Sequence, residues 1–239
     1  MATAAVTAAA AVTAAAPLRL LQFGDSMFPV GGFAFSNGLE AAVQAGVVSD
    51  RAGLEEFVRT VTRVAATGDG VALLAGYRGG RRGDLDRIRR ADEAVVLRKL
   101  SEEARTMTVR MGRKLAEAAA RVVGDSMLDK RLRETATDPV PVTYPVALGT
   151  LFAHCGLSEP DAFAAHQYGV ATMVLGAAVR LMRVDHLDTQ AILYAVNGGV
   201  PEQYGRAANA DLDDMAAFAP VLDVLAAAHI RAHVRLFMS

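Results

Sequence analysis

Apolar positions recur every three to four residues along most of the chain, and the polar breaks between those runs fall where helix caps belong. Asn37 is placed to cap a helix with Glu40 at its third position, and Gly46 to close it. Ser49 or Asp50 opens a second helix, in which Leu54, Phe57, Val58, Val61 and Val64/Ala65 keep helical spacing up to Gly68. Asp69 to Tyr77 predicts a short apolar third helix, followed by a flexible basic loop at residues 78–83 (RGGRRG). Asp84 caps the next, which runs to about Leu100. After Ser101 a longer helix sets Met107, Met111, Leu115, Ala118 and Val122 in one stripe before Gly124. Arg105, Arg110, Arg113, Lys114 and Glu117 fall largely outside that stripe, on a solvated side.

Three prolines in residues 135–145 (TATDPVPVTYP) make the best linker candidate, since each biases its predecessor away from helix. Pro145 suits a first helical turn, with Gly156 as the stop. Ser158 caps a helix with Asp161 at its third position. From Ala162 to Met182 that helix is nearly all apolar, which predicts burial on most sides. Asp188 opens another helix, ending at Asn197-Gly198-Gly199. A loop with Pro201 and Gly205 follows, then a helical region from about Asp211 to His229 that Pro220 kinks or restarts. The pattern predicts one all-α domain of about nine or ten helices at residues 18–239, undivided by the proline-rich stretch.

Composition agrees with the periodicity. The chain is 52% hydrophobic but only 6% aromatic and lacks Trp; its 47 alanines explain the difference. Alanine favours helix and is depleted in strands. Residues 1–17 begin as an Ala/Thr/Val tract with neither the basic start nor the strongly apolar core of a secretory signal, and read as a loosely ordered extension. Gly169 to Val179, the longest stretch of small apolar residues, is too short to cross a bilayer. One cysteine, Cys155, excludes an intramolecular disulfide and fits a reducing compartment. These features predict a cytoplasmic protein that does not engage a membrane. A net charge of −1, from 25 basic and 26 acidic residues, gives no general attraction to nucleic acid.

Candidate chemistry is sparse. A P-loop requires Gly-x4-Gly-Lys-Ser/Thr to cradle phosphates, and no such string occurs. Phe35-Ser36-Asn37-Gly38 lacks the first glycine and the strand of a hydrolase elbow. His229 and His233 are four apart and could share one helix side for a metal, but no neighbouring carboxylate completes a zincin motif. Asp185-His186-Leu187-Asp188 sits at a helix start, where Asp is favoured as a cap. The basic cluster Arg78, Arg81, Arg82, Arg87, Arg89, Arg90 is interleaved with Asp84, Asp86, Asp92 and Glu93 and reads as a solvated face. Two segments stand out. Residues 25–40 (DSMFPVGGFAFSNGLE) combine one Pro, three Gly and three Phe, so either a structural corner or an aromatic binding loop is indicated. The end, Leu236-Phe237-Met238, is apolar enough to dock either on its own core or on a partner.

These same segments resemble the UreF family of urease accessory proteins. Ser26-x-x-Pro29-x-Gly31-Gly32-Phe33-x-x-Ser36-x-Gly38-Leu39-Glu40 is similar to its N-terminal signature. Tyr168 and Val179-Arg180-Leu181 resemble its long central helix, and Gln190-Ala191-Ile192-Leu193 the next one. His229 followed by Arg235-Leu236-Phe237-Met238-Ser239 resembles its ending. The chain departs from the family pattern at Phe35 and Tyr144, where His is usual, at His186 for Gln and at Ile230 for Glu.

The resemblance implies an all-α, usually dimeric protein without catalytic activity or resident cofactor. Such proteins bridge a UreD/UreH-type scaffold and a UreG-type GTPase and regulate GTP-dependent nickel delivery to apo-urease. It assigns partner binding to Phe33, Phe35, Ser36, Glu40, Tyr168, Arg180, His229, Arg235, Leu236, Phe237, Met238 and Ser239. It makes Pro29, Gly31, Gly32 and Gly38 the structural loop. The alternative from the residues alone is an independent helical metal-dependent enzyme using His229 and His233.

Overall fold

Side-chain caps cut the chain into helices, and glycines decide how closely those helices approach. The computed structural model describes residues 15–25, 28–217, 219–229 and 236–237. The elements are α1 (15–24), α2 (Leu39–Gln44), α3 (Arg51–Thr67), α4 (Asp69–Arg82), α5 (Leu85–Arg98) and α6 (Glu102–Val122). They continue as α7 (Ser126–Glu134), α8 (Tyr144–His154), α9 (Glu159–Leu181), α10 (His186–Asn197), α11 (Val200–Ala208) and α12 (Pro220–His229). Short 3-10 turns occupy Gly32–Ala34 and Leu212–Asp214, and no strand occurs among the described residues. The fold is a single all-α domain, as the periodicity predicts. Asp50, Asp84, Ser101 and Ser158 each accept a first-turn N–H as N-caps.

Several local expectations need correction. The expected loosely ordered extension through residue 17 overlaps α1, since residues 15–17 are already helical. Gly38, not Asn37, is the N-cap of α2, and both are left-handed, at φ 84 and 51. Residues 78–82 are no loop but the last turns of α4, which stops at left-handed Gly83. On α6 the buried stripe is Thr108, Met111, Gly112, Leu115, Ala116 and Ala119, while Val122 is 57% exposed. Asp185, not Asp188, caps α10, and Asp188 closes the capping box from its third position. Pro201 and Gly205 lie within α11, Pro201 in its first turn. Asp211 starts only a 3-10 turn, so α12 begins at Pro220.

The centre of the domain is α4 against α8. A Cβ on Gly149 would lie 2.1 Å from the Leu73 carbonyl oxygen, and one on Gly76 would lie 2.7 Å from that of Val146. Gly80 meets Thr150 and Ala153 at 3.2–3.3 Å. Gly79, against Ile88, and Gly80 of the basic stretch are therefore packing residues, while left-handed Gly83 ends the helix. At Gly112, α6 crosses the start of α8 so closely that a Cβ would meet the Thr143 carbonyl carbon at 2.4 Å.

The proline-rich stretch before α8 is held from inside. Arg131 of α7 and Asp92 of α5, both fully buried, pair at 3.1 Å. Asp92 also accepts the Thr143 N–H and hydroxyl at 2.8 Å, and Arg131 donates to the Val140 carbonyl at 2.7 Å. Burial raises the Asp92 carboxyl to about 7, with Thr143 and Arg131 pulling the other way.

Around this centre the apolar side chains form two clusters. One gathers α1, α4 to α8 and the first half of α9. The other gathers α2, most of α3, the second half of α9, α10, Leu225 of α12 and Phe237. α9 is the shared member. By length and composition it is also apolar enough to cross a membrane, but 56% of its apolar window is buried in the protein.

Candidate functional site

The Gly/Phe segment leads to a residue that meets Leu236 and Phe237. Asp25 accepts the Phe28 N–H through its carbonyl at 3.0 Å, and left-handed Gly31 turns the chain into the 3-10 turn at Gly32–Ala34. Gly32 is pinched between the methyl ends of Met111 and Met173, each 3.2 Å from where its Cβ would stand. Phe28 lies edge-on to buried Phe23 of α1, ring centres 5.2 Å apart. Phe35 and Ser36 are buried, and the Ser36 hydroxyl accepts the Glu40 N–H at 3.4 Å. Left-handed Gly38 then launches α2.

This turn delivers Glu40 to the interior, 2% exposed. Its carboxylate accepts the backbone N–H of Leu236 at 2.7 Å on Oε1 and that of Phe237 at 2.9 Å on Oε2. Gln44 donates to Oε1 at 3.5 Å. Two consecutive backbone N–H groups are thus satisfied by one carboxyl group, one on each oxygen. Phe237 is 4% exposed inside the second cluster, and the Arg180 guanidinium lies 4.4 Å above its ring centre. Leu236 points outward, 60% exposed. Of the two dockings open to the tail, the structure shows the one on its own core for Phe237.

The residues singled out from sequence thus divide. Ser36, Glu40, Arg180, Leu236 and Phe237 converge on one site, while Phe35 packs into the first apolar cluster. Tyr168 lies elsewhere, 43% exposed, over a groove of about 690 Å³ with Leu20, Leu21, Val200 and Pro201. Pro29 and Gly31 shape the loop, and Gly32 and Gly38 are buried in it. The side chains of Phe33 and His229, and all of His233, Arg235, Met238 and Ser239, lie outside the described residues. The histidine-pair metal site lies there too. Among the described residues no three His, Cys, Asp or Glu side chains gather as a metal cluster. Arg78 is taken up by Glu159 in a two-pronged pair at 2.7 and 3.0 Å, and Arg89 and Arg90 by Asp86. Cys155 is buried, and burial pushes its thiol up.

Sequence reasoning passed over His166. It is buried on α9, its Nδ1 has no hydrogen-bond partner, and it borders a cavity of about 220 Å³ with Met107, Met111, Tyr144 and Met173. Desolvation lowers the imidazole to about 4, so it is neutral at physiological pH. A single histidine on an apolar helix carries no signal that separates it from a surface one.

Comparison with known proteins agrees along most of the chain. The family model described as UreF matches residues 48–197. The chain is 50% identical over 222 residues to urease accessory protein UreF 2 of Brucella canis, covering 93% of this chain and 91% of that protein. It is 50% identical over 222 residues to urease accessory protein UreF 1 of Brucella melitensis, with 93% and 92% covered. To urease accessory protein UreF of Yersinia enterocolitica it is 46% identical over 220 residues, covering 92% and 96%.

Proposed function

The chain belongs to the UreF family of urease accessory proteins, and from that membership we propose that it is the adaptor joining a UreD/UreH-type scaffold to a UreG-type GTPase. It is an accessory protein and not the catalyst, which removes the reading as an independent enzyme. In the proposed assembly it works as a homodimer in the cytoplasm and regulates GTP-dependent delivery of nickel to apo-urease. Nickel is the cargo of the complex and not a resident cofactor of this chain.

The observation that carries the reading is the fixed chain end. Glu40 holds the backbone of residues 236 and 237, Phe237 anchors it, and Leu236 is left standing outward. An ordered apolar side chain presented on a rigid mount is what an interface anchor requires, since little conformational freedom remains to be lost on binding. The reading assigns the scaffold to this surface, with the Gly/Phe loop behind it.

Leu236→Arg tests it without touching the buried Phe237. Co-expression with the UreD/UreH-type scaffold should give no co-purified complex, while the helical circular dichroism and thermal midpoint stay as in the wild type. An undiminished complex would remove the scaffold from this surface.

A further inference from the structure

His166 is a buried polar ring that the described part of the chain leaves unanswered. It is 3% exposed on α9, its Nδ1 is enclosed without a partner, and no hydrogen bond tempers the desolvation that holds the imidazole at about 4. Arg131 and Asp125 also keep one unpartnered atom each, but their other polar atoms are bonded at 2.7–3.2 Å. Buried polar groups are almost always paired, because leaving one unpaired in an apolar interior costs free energy.

The ring borders a cavity of about 220 Å³, and a dry apolar cavity of roughly 150 Å³ already admits benzene. Met107 and Met111 of α6 and Met173 of α9 line it, and thioethers make favourable contacts with aromatic rings. Tyr144, at the start of α8, stands on the same wall; burial alone raises its hydroxyl to about 12, so it stays protonated. The charged groups of the lining are taken up by the protein. Lys99 and Asp69 pair with each other at 2.7 Å, and the Arg98 guanidinium donates to the carbonyls of Met215 and Ala94. The space is therefore ring-sized, largely apolar and furnished with neutral polar groups.

We propose that this cavity binds a small neutral phenol, its ring among the methionines and its hydroxyl on the imidazole of His166. Nδ1 is walled in, which leaves Nε2 for the occupant. A phenolic hydroxyl both donates and accepts, so it can bond that nitrogen in either imidazole tautomer. A carboxylate or ammonium ligand would enter without a counter-charge, since the imidazole is neutral and the rim charges are paired. Water alone needs two to four polar partners, more than a wall of methionines supplies. This site does not depend on the adaptor reading.

The test uses the full-length purified chain at pH 7 and isothermal titration calorimetry with p-cresol, toluene serving as the same ring without a hydroxyl. p-Cresol should saturate a single site and bind about tenfold more tightly than toluene, the worth of one hydrogen bond. His166→Leu keeps the cavity apolar and should abolish that preference, so that the two probes bind alike. Ala104→Leu, on the α6 wall, suits a helix and fills part of the space; it should weaken both probes about tenfold or more with unchanged circular dichroism. No saturable binding of p-cresol by the wild type overturns the site. Equal binding of the two probes by the wild type, or a preference that survives His166→Leu, takes the hydroxyl off His166 and overturns the proposal. Binding that Ala104→Leu leaves unchanged puts p-cresol outside the cavity and overturns it as well.

Discussion

His166 is the residue whose burial has the clearest measurable consequence. Desolvation beside the cavity lowers its imidazole from 6.5 to about 4; Asp69 opposes the shift and Lys99 assists it, the two being paired with each other at 2.7 Å. In the unfolded chain it titrates near 6.5. Between those two values the unfolded chain takes up a proton that the fold refuses, so stability is complete above pH 6.5 and falls as the pH drops toward 4. The gap is worth about 3 kcal/mol. Asp92, whose carboxyl burial raises, acts in the opposite sense, losing its contribution as the pH rises toward 7. A His166→Leu variant separates the two, since Asp92 titrates alike in both proteins. Urea unfolding at pH 7, 5.5 and 4 should show the wild type losing about 3 kcal/mol relative to the variant across the series. A difference that stays constant with pH would mean that the imidazole is not held neutral.

At the scale of helices, what a residue does to its own backbone was legible and what it does to a neighbour was not. Asp50, Asp84, Ser101 and Ser158 cap through bonds to residues three positions on, so sequence places them. Gly80 reads as loop because its local signal is conformational freedom; its role is close approach of α8, set by residues some seventy positions away, while Gly79 is crowded by Ile88 of α5. α7 escapes periodicity because one of its two buried side chains is Arg131, held by Asp92 of a different helix. The two candidate segments were each visible, but not that Glu40 grips a backbone 196 residues further on. The same distinction predicts opposite outcomes for one substitution. Gly149→Ala drives a methyl into the Leu73 carbonyl and should cost about 3 kcal/mol or more through forced separation of α4 and α8. Gly205→Ala, in α11 with nothing within 4 Å, should stabilise by about 0.5–1 kcal/mol through helix propensity alone. Denaturant midpoints of the two variants decide it, and like signs would remove the packing role assigned to the interior glycines.

For the molecule as a whole, α9 determines whether the two apolar clusters behave as one unit. Phe163 and Ala165 belong to the first, Ala171, Val174 and Leu175 to the second, while α3 lends only Ala66 to the first. Docking of the chain end depends on the second cluster, since Phe237 is a member of it and Arg180 of α9 covers its ring. Intact, a continuous helix ties the loss of one cluster to the other, so the wild type should unfold in a single transition. Val170→Pro places a break between the two sets. It removes one intrahelical bond and clashes with the carbonyl of His166, at a cost of about 3 kcal/mol. The second cluster, smaller and reliant on the docked tail, should then open first. Hydrogen exchange is expected to show protection lost in α2 and α10 at denaturant concentrations where α4 and α8 retain theirs. Equal loss in all four helices would mean that the clusters are coupled by contacts other than the continuity of α9, and that release of the chain end is a global event instead of a local one.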